Sequence, residues 1–178
     1  MILQLVSVNV GQPEELAGGK PMRTGIFKRP QAEPVRVGRL GLAGDAICDT
    51  ENHGGQQQAV YLYGVPDYAW WEAELGRPLE PGTFGENLTI DGFSSAEVRI
   101  GDRYRIGPVL LEATCPRIPC RTFAARMGDP RFPKRFMAAR RPGVYCRVLV
   151  EGELAAGDAV ECLPAPPGSR ALLDLFRK

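Results

Sequence analysis

Sixteen prolines and 21 glycines are scattered through the 178 residues, and this punctuation constrains the fold more than any other feature. Proline fixes φ and removes a backbone donor, and glycine opens turns. A chain interrupted so often has little room for long helices and suits many short strands. Ile2 to Val10 alternates as a first strand and Glu33 to Val37 as another, followed by a Gly-rich turn around Gly41 and Gly44. Ala59 to Tyr63 is a short β-branched and aromatic run, and Leu88 to Ile90 and Glu97 to Ile100 read as short strands. Asp102 to Ile106 and Pro108 to Thr114 form a hairpin pattern about Gly107. Gly143 to Val150 and Ala159 to Leu163 close the series, joined by a turn over Glu151 to Asp158.

Helical signals are few. Val65 to Leu75 has Pro66 and Asp67 at its start and Gly76 at its end, and Ser169 to Lys178 reads as a terminal helix. Thr122 to Met127 and Phe132 to Ala139 give one or two turns each, separated by Gly128 and Pro130. The expectation is a mainly β fold, a β-barrel with a few short peripheral helices, because closure removes exposed sheet edges. The length suits a single domain over residues 1–178.

Lysine and arginine total 22 against 21 acidic residues, a formal net of +1. That balance gives no global attraction to nucleic acid or an anionic membrane, so any anion site must be local. No apolar stretch approaches the roughly 20 residues needed to cross a bilayer. The opening MILQLVSVNVG alternates like a strand and lacks a basic n-region, so a cytoplasmic location is expected. Five cysteines, an odd number without a CxxC pair, point to reduced thiols. With one histidine in the chain, a structural zinc site is not expected. Walker A, GxGxxG, HExxH and GxSxG patterns are all absent.

The most distinctive local stretch is Cys115-Pro-Arg-Ile-Pro-Cys120-Arg-Thr. Prolines on either side of Ile118 restrict the backbone and aim Cys120. Arg117 and Arg121 place positive charge near it, favouring the thiolate needed for nucleophilic attack or metal ligation. The competing reading is a small buried hydrophobe in a tight turn. For Cys48, Cys115, Cys146 and Cys162, which lack such a cluster of charge, packing is the expectation. Asn52-His53-Gly54-Gly55 lies in a polar loop from Asp45 to Gln58, where two glycines allow close approach to a ligand; a turn with a solvated histidine is the alternative. Glu86 and Asn87 in FGENL could orient a polar heterocycle. Arg23, Thr24 and Lys28 in RTGIFK offer a phosphate grip, with ordinary surface chemistry as the alternative for both.

In order, TGIFK (24–28), Gly44-Asp45, HGG (53–55) with AVY (59–61), FGENL (84–88), IGD (100–102), PRIPC (116–120), GVYCR (143–147) and Gly157-Asp158 resemble the MOSC domains, named after the C-terminal part of molybdenum cofactor sulfurase. The likeness is nearly full length, and the short chain resembles the stand-alone bacterial proteins of the YiiM type rather than the longer fused enzymes. Two positions depart from it: Gln58 stands where many relatives have lysine, and the basic residue after the PC pair is Arg121 rather than one place later.

The resemblance implies a many-stranded β-barrel and a molybdenum cofactor (molybdopterin). It implies a cysteine that binds molybdenum in relatives reducing N-hydroxylated compounds; Cys120 matches that position. The cofactor contacts it suggests are Arg23, Thr24, Lys28, Asp45, His53, Gly54, Gly55, Glu86, Asn87, Arg117 and Arg121. The activity would be independent of pyridoxal phosphate. No haem, flavin or iron–sulfur motif is present, so a separate electron-donor protein is expected beside a small N-hydroxylated substrate. No nucleic-acid or membrane partner is expected, and homodimerisation stays open. Two rivals remain. One is a carrier or binding module for the cofactor or for cysteine-bound sulfur; the other is a cofactor-free thiol enzyme in which His53 activates Cys120.

Overall fold

The computed structural model describes residues 1–16, 22–51 and 53–177. In chain order the elements are β1 (Ile2–Gly11), β2 (Glu14–Leu16), β3 (Met22–Thr24), β4 (Lys28–Pro30), β5 (Val35–Gly38), β6 (Gly41–Leu42), β7 (Val60–Gly64), α1 (Val65–Leu75), β8 (Leu88–Asp91), β9 (Arg103–Ile106), β10 (Val109–Cys115), α2 (Arg121–Met127), α3 (Phe132–Ala139), β11 (Val144–Val150), β12 (Gly152–Leu154), β13 (Ala159–Leu163) and α4 (Leu172–Leu175). Seven strands close a barrel in the order β1-β13-β9-β10-β11-β7-β8, with β8 returning to β1, and β4 extends the sheet from the far end of β1. The expected mainly β barrel with short helices is what the chain forms.

Every pairing around the ring is antiparallel except that of β7 with β8. Parallel neighbours cannot be joined by a tight turn and need a crossover, which α1 and the segment after it provide. Pro66 in its first turn and Gly76 in the left-handed conformation at its C-cap delimit α1, as the sequence signals require.

All five residues of β7 are buried. Val60 and Leu62 point into the barrel with Leu5, Val8, Leu88, Ile106 and Leu111. Tyr61 and Tyr63 point the other way, into an aromatic cluster with Trp71, Phe84, Phe123, Phe132 and Phe136 beneath the helices. Small side elements complete the barrel: β5, β6 and β12 form a three-stranded sheet whose Val35, Val37, Leu42 and Leu154 join the barrel core.

Three expectations are corrected. Glu97 to Ile100 is a sequence of turns bearing one isolated bridge from Arg99 to Ala171. The Asp102 carboxylate accepts the Arg99 N–H at 2.7 Å and so competes with strand pairing. The terminal helix shrinks to α4, because Ile100 donates to Arg170 O and Leu172 to Val98 O, holding the approach to it in extended pairing; Lys178 lies outside the described residues. The expected turn over Glu151 to Asp158 contains β12, paired with β5.

Gly64 joins β7 to α1 with ordinary extended angles, but a Cβ there would lie 1.9 Å from the Phe93 carbonyl oxygen. Gly64→Ala is therefore expected to cost about 1–3 kcal/mol through overpacking, measured as a lower urea midpoint. An unchanged midpoint would contradict the close junction.

Candidate functional site

Where β10 ends, Pro116 has no N–H to continue the ladder, and the chain runs extended to Cys120, the N-cap of α2. Cys120 thereby reaches the wall of a cleft of about 340 Å³. One side of the cleft comes from residues 22–28, another from the loop 45–58, and its floor includes Tyr61, Gly85, Asn87, Arg117 and Tyr145. The two tyrosines are register partners on β7 and β11, their ring centroids 4.8 Å apart. Gly25 permits the close approach of the first two sides, since a Cβ there would meet the Ala46 carbonyl oxygen at 1.9 Å.

Arg117 is 5% exposed. Its guanidinium stands over the rings of Phe123 (4.5 Å) and Tyr61 (5.2 Å) and donates to Phe84 O at 2.9 Å. Its Nε has no partner, and among the described residues no carboxylate lies within ion-pair distance. A buried cation in this state is costly unless an anion faces it. Gln58, also lining the cleft, has an unpartnered buried Oε1.

Burial pushes the Cys120 thiol up. A hydrogen bond with His53, the Phe123 backbone N–H and the Arg117 charge outweigh it and bring the thiol down to about 6. Cys120 is thus largely thiolate at neutral pH, the form that ligates metals and attacks electrophiles. Cys115, by contrast, is pushed up by burial, and Cys146 is wholly buried in the barrel core. Cys48, expected to pack, is instead exposed and lines the cleft.

Nine of the proposed contact residues line this cleft: Arg23, Thr24, Lys28, Asp45, His53, Gly54, Asn87, Arg117 and Cys120. Several are already engaged. Lys28 Nζ donates to Asp45 Oδ1 at 2.7 Å, and the Gly11 N–H reaches the same oxygen at 2.8 Å. Asn87 Nδ2 donates to Asp45 Oδ2 at 2.9 Å and to Asn9 O, while its Oδ1 accepts the Tyr61 N–H at 3.0 Å. Lys28, Asp45 and Asn87 therefore tie β1, β4, β7 and β8 together at the cleft, and the Lys28 charge is matched. Thr24 Oγ1 accepts the Ile26 N–H.

The remaining three stand apart from the lining. Glu86 is fully buried, its Oε1 accepting from Tyr68 (2.6 Å), Gly82 N–H and Thr89 (both 2.8 Å). Burial raises its pKa against those three donors; through Oε1 it braces α1 against β8, while its buried Oε2 has no partner. Arg121 is exposed on the first turn of α2, and Gly55 lies just beyond the lining with φ 77°. Asn52 lies outside the described residues. Tyr61 and Tyr145 are not among the site residues the sequence points to, and Gln58 enters there only as a departure from the family pattern; the alternation of the two tyrosines with core neighbours on β7 and β11 is the signal that they face away from the barrel interior.

The family model described as "MOSC domain" matches residues 49–161. YflK of Bacillus subtilis (strain 168) is 38% identical over 89% of this chain and 72% of its own length. A protein named "Reductase" from Gibberella moniliformis is 35% identical over 97% of this chain, which spans only 31% of that protein. The crystal structure of YiiM from Geobacillus stearothermophilus superposes with a TM-score of 0.80 at 31% identity, covering 98% of this chain and 82% of the other.

The lowered thiol predicts that alkylation of Cys120 by iodoacetamide, followed by peptide mass spectrometry, rises through pH about 6 and levels off above it. In His53→Gln the midpoint moves up toward the ordinary thiol range of about 8.5, and alkylation at pH 6 slows. An unmoved midpoint would remove His53 from the account.

Proposed function

This chain belongs to the MOSC domain family, and on that premise we propose that its cleft holds a molybdenum cofactor through the Cys120 thiolate and that the protein reduces N-hydroxylated compounds. The observation that carries this reading is a thiolate-prone cysteine beside a buried, unpaired arginine in one cleft. Among the described residues, no group of three or more His, Cys, Asp or Glu side chains could hold a bare ion. A single soft thiolate suits a metal that brings most of its ligands with it on an organic group.

The remaining lining fits such a group. Arg117 and Arg23 would face its phosphate, Gln58 Oε1 would accept from its pterin N–H groups, and Gly85 leaves room beside Arg117, since a Cβ there would lie 3.2 Å from Nη1. When bound, the group supplies two-electron chemistry at an N–O bond. His53 holds a proton next to the Cys120 sulfur, and Tyr61 and Tyr145 give one wall of the substrate space an aromatic surface. The net change is N-hydroxy compound plus two electrons and two protons to amine plus water. The electrons come from a separate donor protein; in the fungal reductase, more than two thirds of the chain lies beyond the matched part.

The bond between His53 and Cys120 also favours a second reading, thiol chemistry without metal. One comparison separates them: molybdenum content, with pterin fluorescence after oxidation, for wild type and Cys120→Ser made in a cofactor-competent host. Near one metal per chain in wild type, lost in the variant, together with turnover of an N-hydroxylated base by reduced viologen, is expected. Well-folded wild type without metal would favour the thiol reading or transient carriage of cofactor or sulfur. Metal loading without turnover would leave a cofactor carrier.

A further inference from the structure

Charge is distributed unevenly over this molecule. Residues 121–141 hold seven basic side chains against the single acid Asp129, a net of +6 in a chain whose formal net is +1, leaving the rest at −5. On the strands, Arg36 of the side sheet and Arg103, Arg105 and Arg147 of the barrel each lie at ion-pair distance from a glutamate. The helical segment differs. Arg135 reaches Asp129 at 3.3 Å and Arg141 reaches Asp67 at 2.6 Å. Arg121, Arg131, Lys134 and Arg140 are exposed and, among the described residues, have no acidic side chain at that distance. Arg126 lies over the Phe27 ring with its Nε unpartnered.

The backbone beneath these charges is fixed. Phe123, Phe132 and Phe136 are fully buried, with ring centroids 5.0–6.2 Å apart, and lock α2 to α3 and both to the aromatic core. Their burial also leaves no ring on this face for a nucleic-acid base to stack on. None of the large exposed apolar residues falls within 121–141, so the face has nothing to insert into a lipid surface. A rigid positive face without rings or apolar anchors fits protein carboxylates, in a contact that is fast, weak and salt-sensitive. It begins at the residue after Cys120.

We propose that the α2–α3 face docks a small acidic electron-carrier protein, of iron–sulfur or flavin type, which supplies the reducing electrons; this rests on the reductase reading given above. Per turnover the carrier gives up two electrons in all, two protons come from solvent, the substrate N–O bond breaks, and its oxygen leaves as water.

The test uses the full chain and Arg131→Glu/Lys134→Glu. These positions are the N-cap and first turn of α3, where acidic residues are favoured by the helix dipole, so the variant folds. Calorimetric titration with an acidic [2Fe–2S] ferredoxin and with a flavodoxin reads docking without any bound metal. Wild type is expected to bind at least one of them with an affinity that falls as salt rises, and the double variant to bind about tenfold more weakly. Arg131→Lys/Lys134→Arg is expected to restore wild-type affinity. With metal-loaded protein, carrier-driven turnover shows a raised KM in the charge-reversed variant while viologen-driven turnover is unchanged. Equal binding by wild type and variant, or charge-dependent binding of a single-stranded RNA oligomer with no binding of either carrier, overturns the proposal. Absence of viologen-driven turnover in both forms would count against the reductase reading instead, with the titration still reporting the surface.

Discussion

The burial of β7 on both faces is the constraint from which the rest of this molecule follows. A strand that packs Val60 and Leu62 into a barrel and Tyr61 and Tyr63 into a second, aromatic core must have an element covering its outer side. The helices provide that cover. Because β7 lies parallel to β8, the same strand also requires the crossover that contains α1. Tyr61, held between the two cores, then supplies both the cleft floor and a ring beneath Arg117.

Around that strand the polar groups divide into two kinds. Lys28, Asp45 and Asn87 satisfy one another and nearby backbone groups. Such saturated networks set geometry and have little left for a ligand. Arg117, Gln58 and Cys120 are unsaturated by comparison, or are held in a charged form by their surroundings. The capacity for chemistry sits in the second group, and the first holds it in place.

The barrel strands and α1 were legible because their cues are local: alternation in residues 2–10, Gly107 in a hairpin, Pro66 and Gly76 at helix ends. β2, β4 and β12 were not, since EEL, KRP and GEL carry no apolar period and are strands only through their partners. At the site, Cys120, Arg117 and His53 could be picked out by residue type and spacing. The roles of Lys28 and Glu86 could not, because whether a charged group faces a ligand or a buried partner depends on residues 17 and 18 positions away, Asp45 and Tyr68. Cys48 likewise has nothing distinctive in its own neighbourhood; the loop alone brings it to the cleft.

The barrel is sealed where Ile2, Leu3 and Gln4 pair with Glu161, Val160 and Ala159. During synthesis β1 therefore emerges long before β13, and its pairing edge stays unsatisfied while most of the chain is made. Closure is a late, non-local event of the kind that slows folding and exposes strand edges to other chains. The apolar core of the barrel can collect early around β7, β8 and β10, but the ring itself cannot close until β13 has been made. Yield in a cell will accordingly depend on how well that open sheet is shielded while it waits.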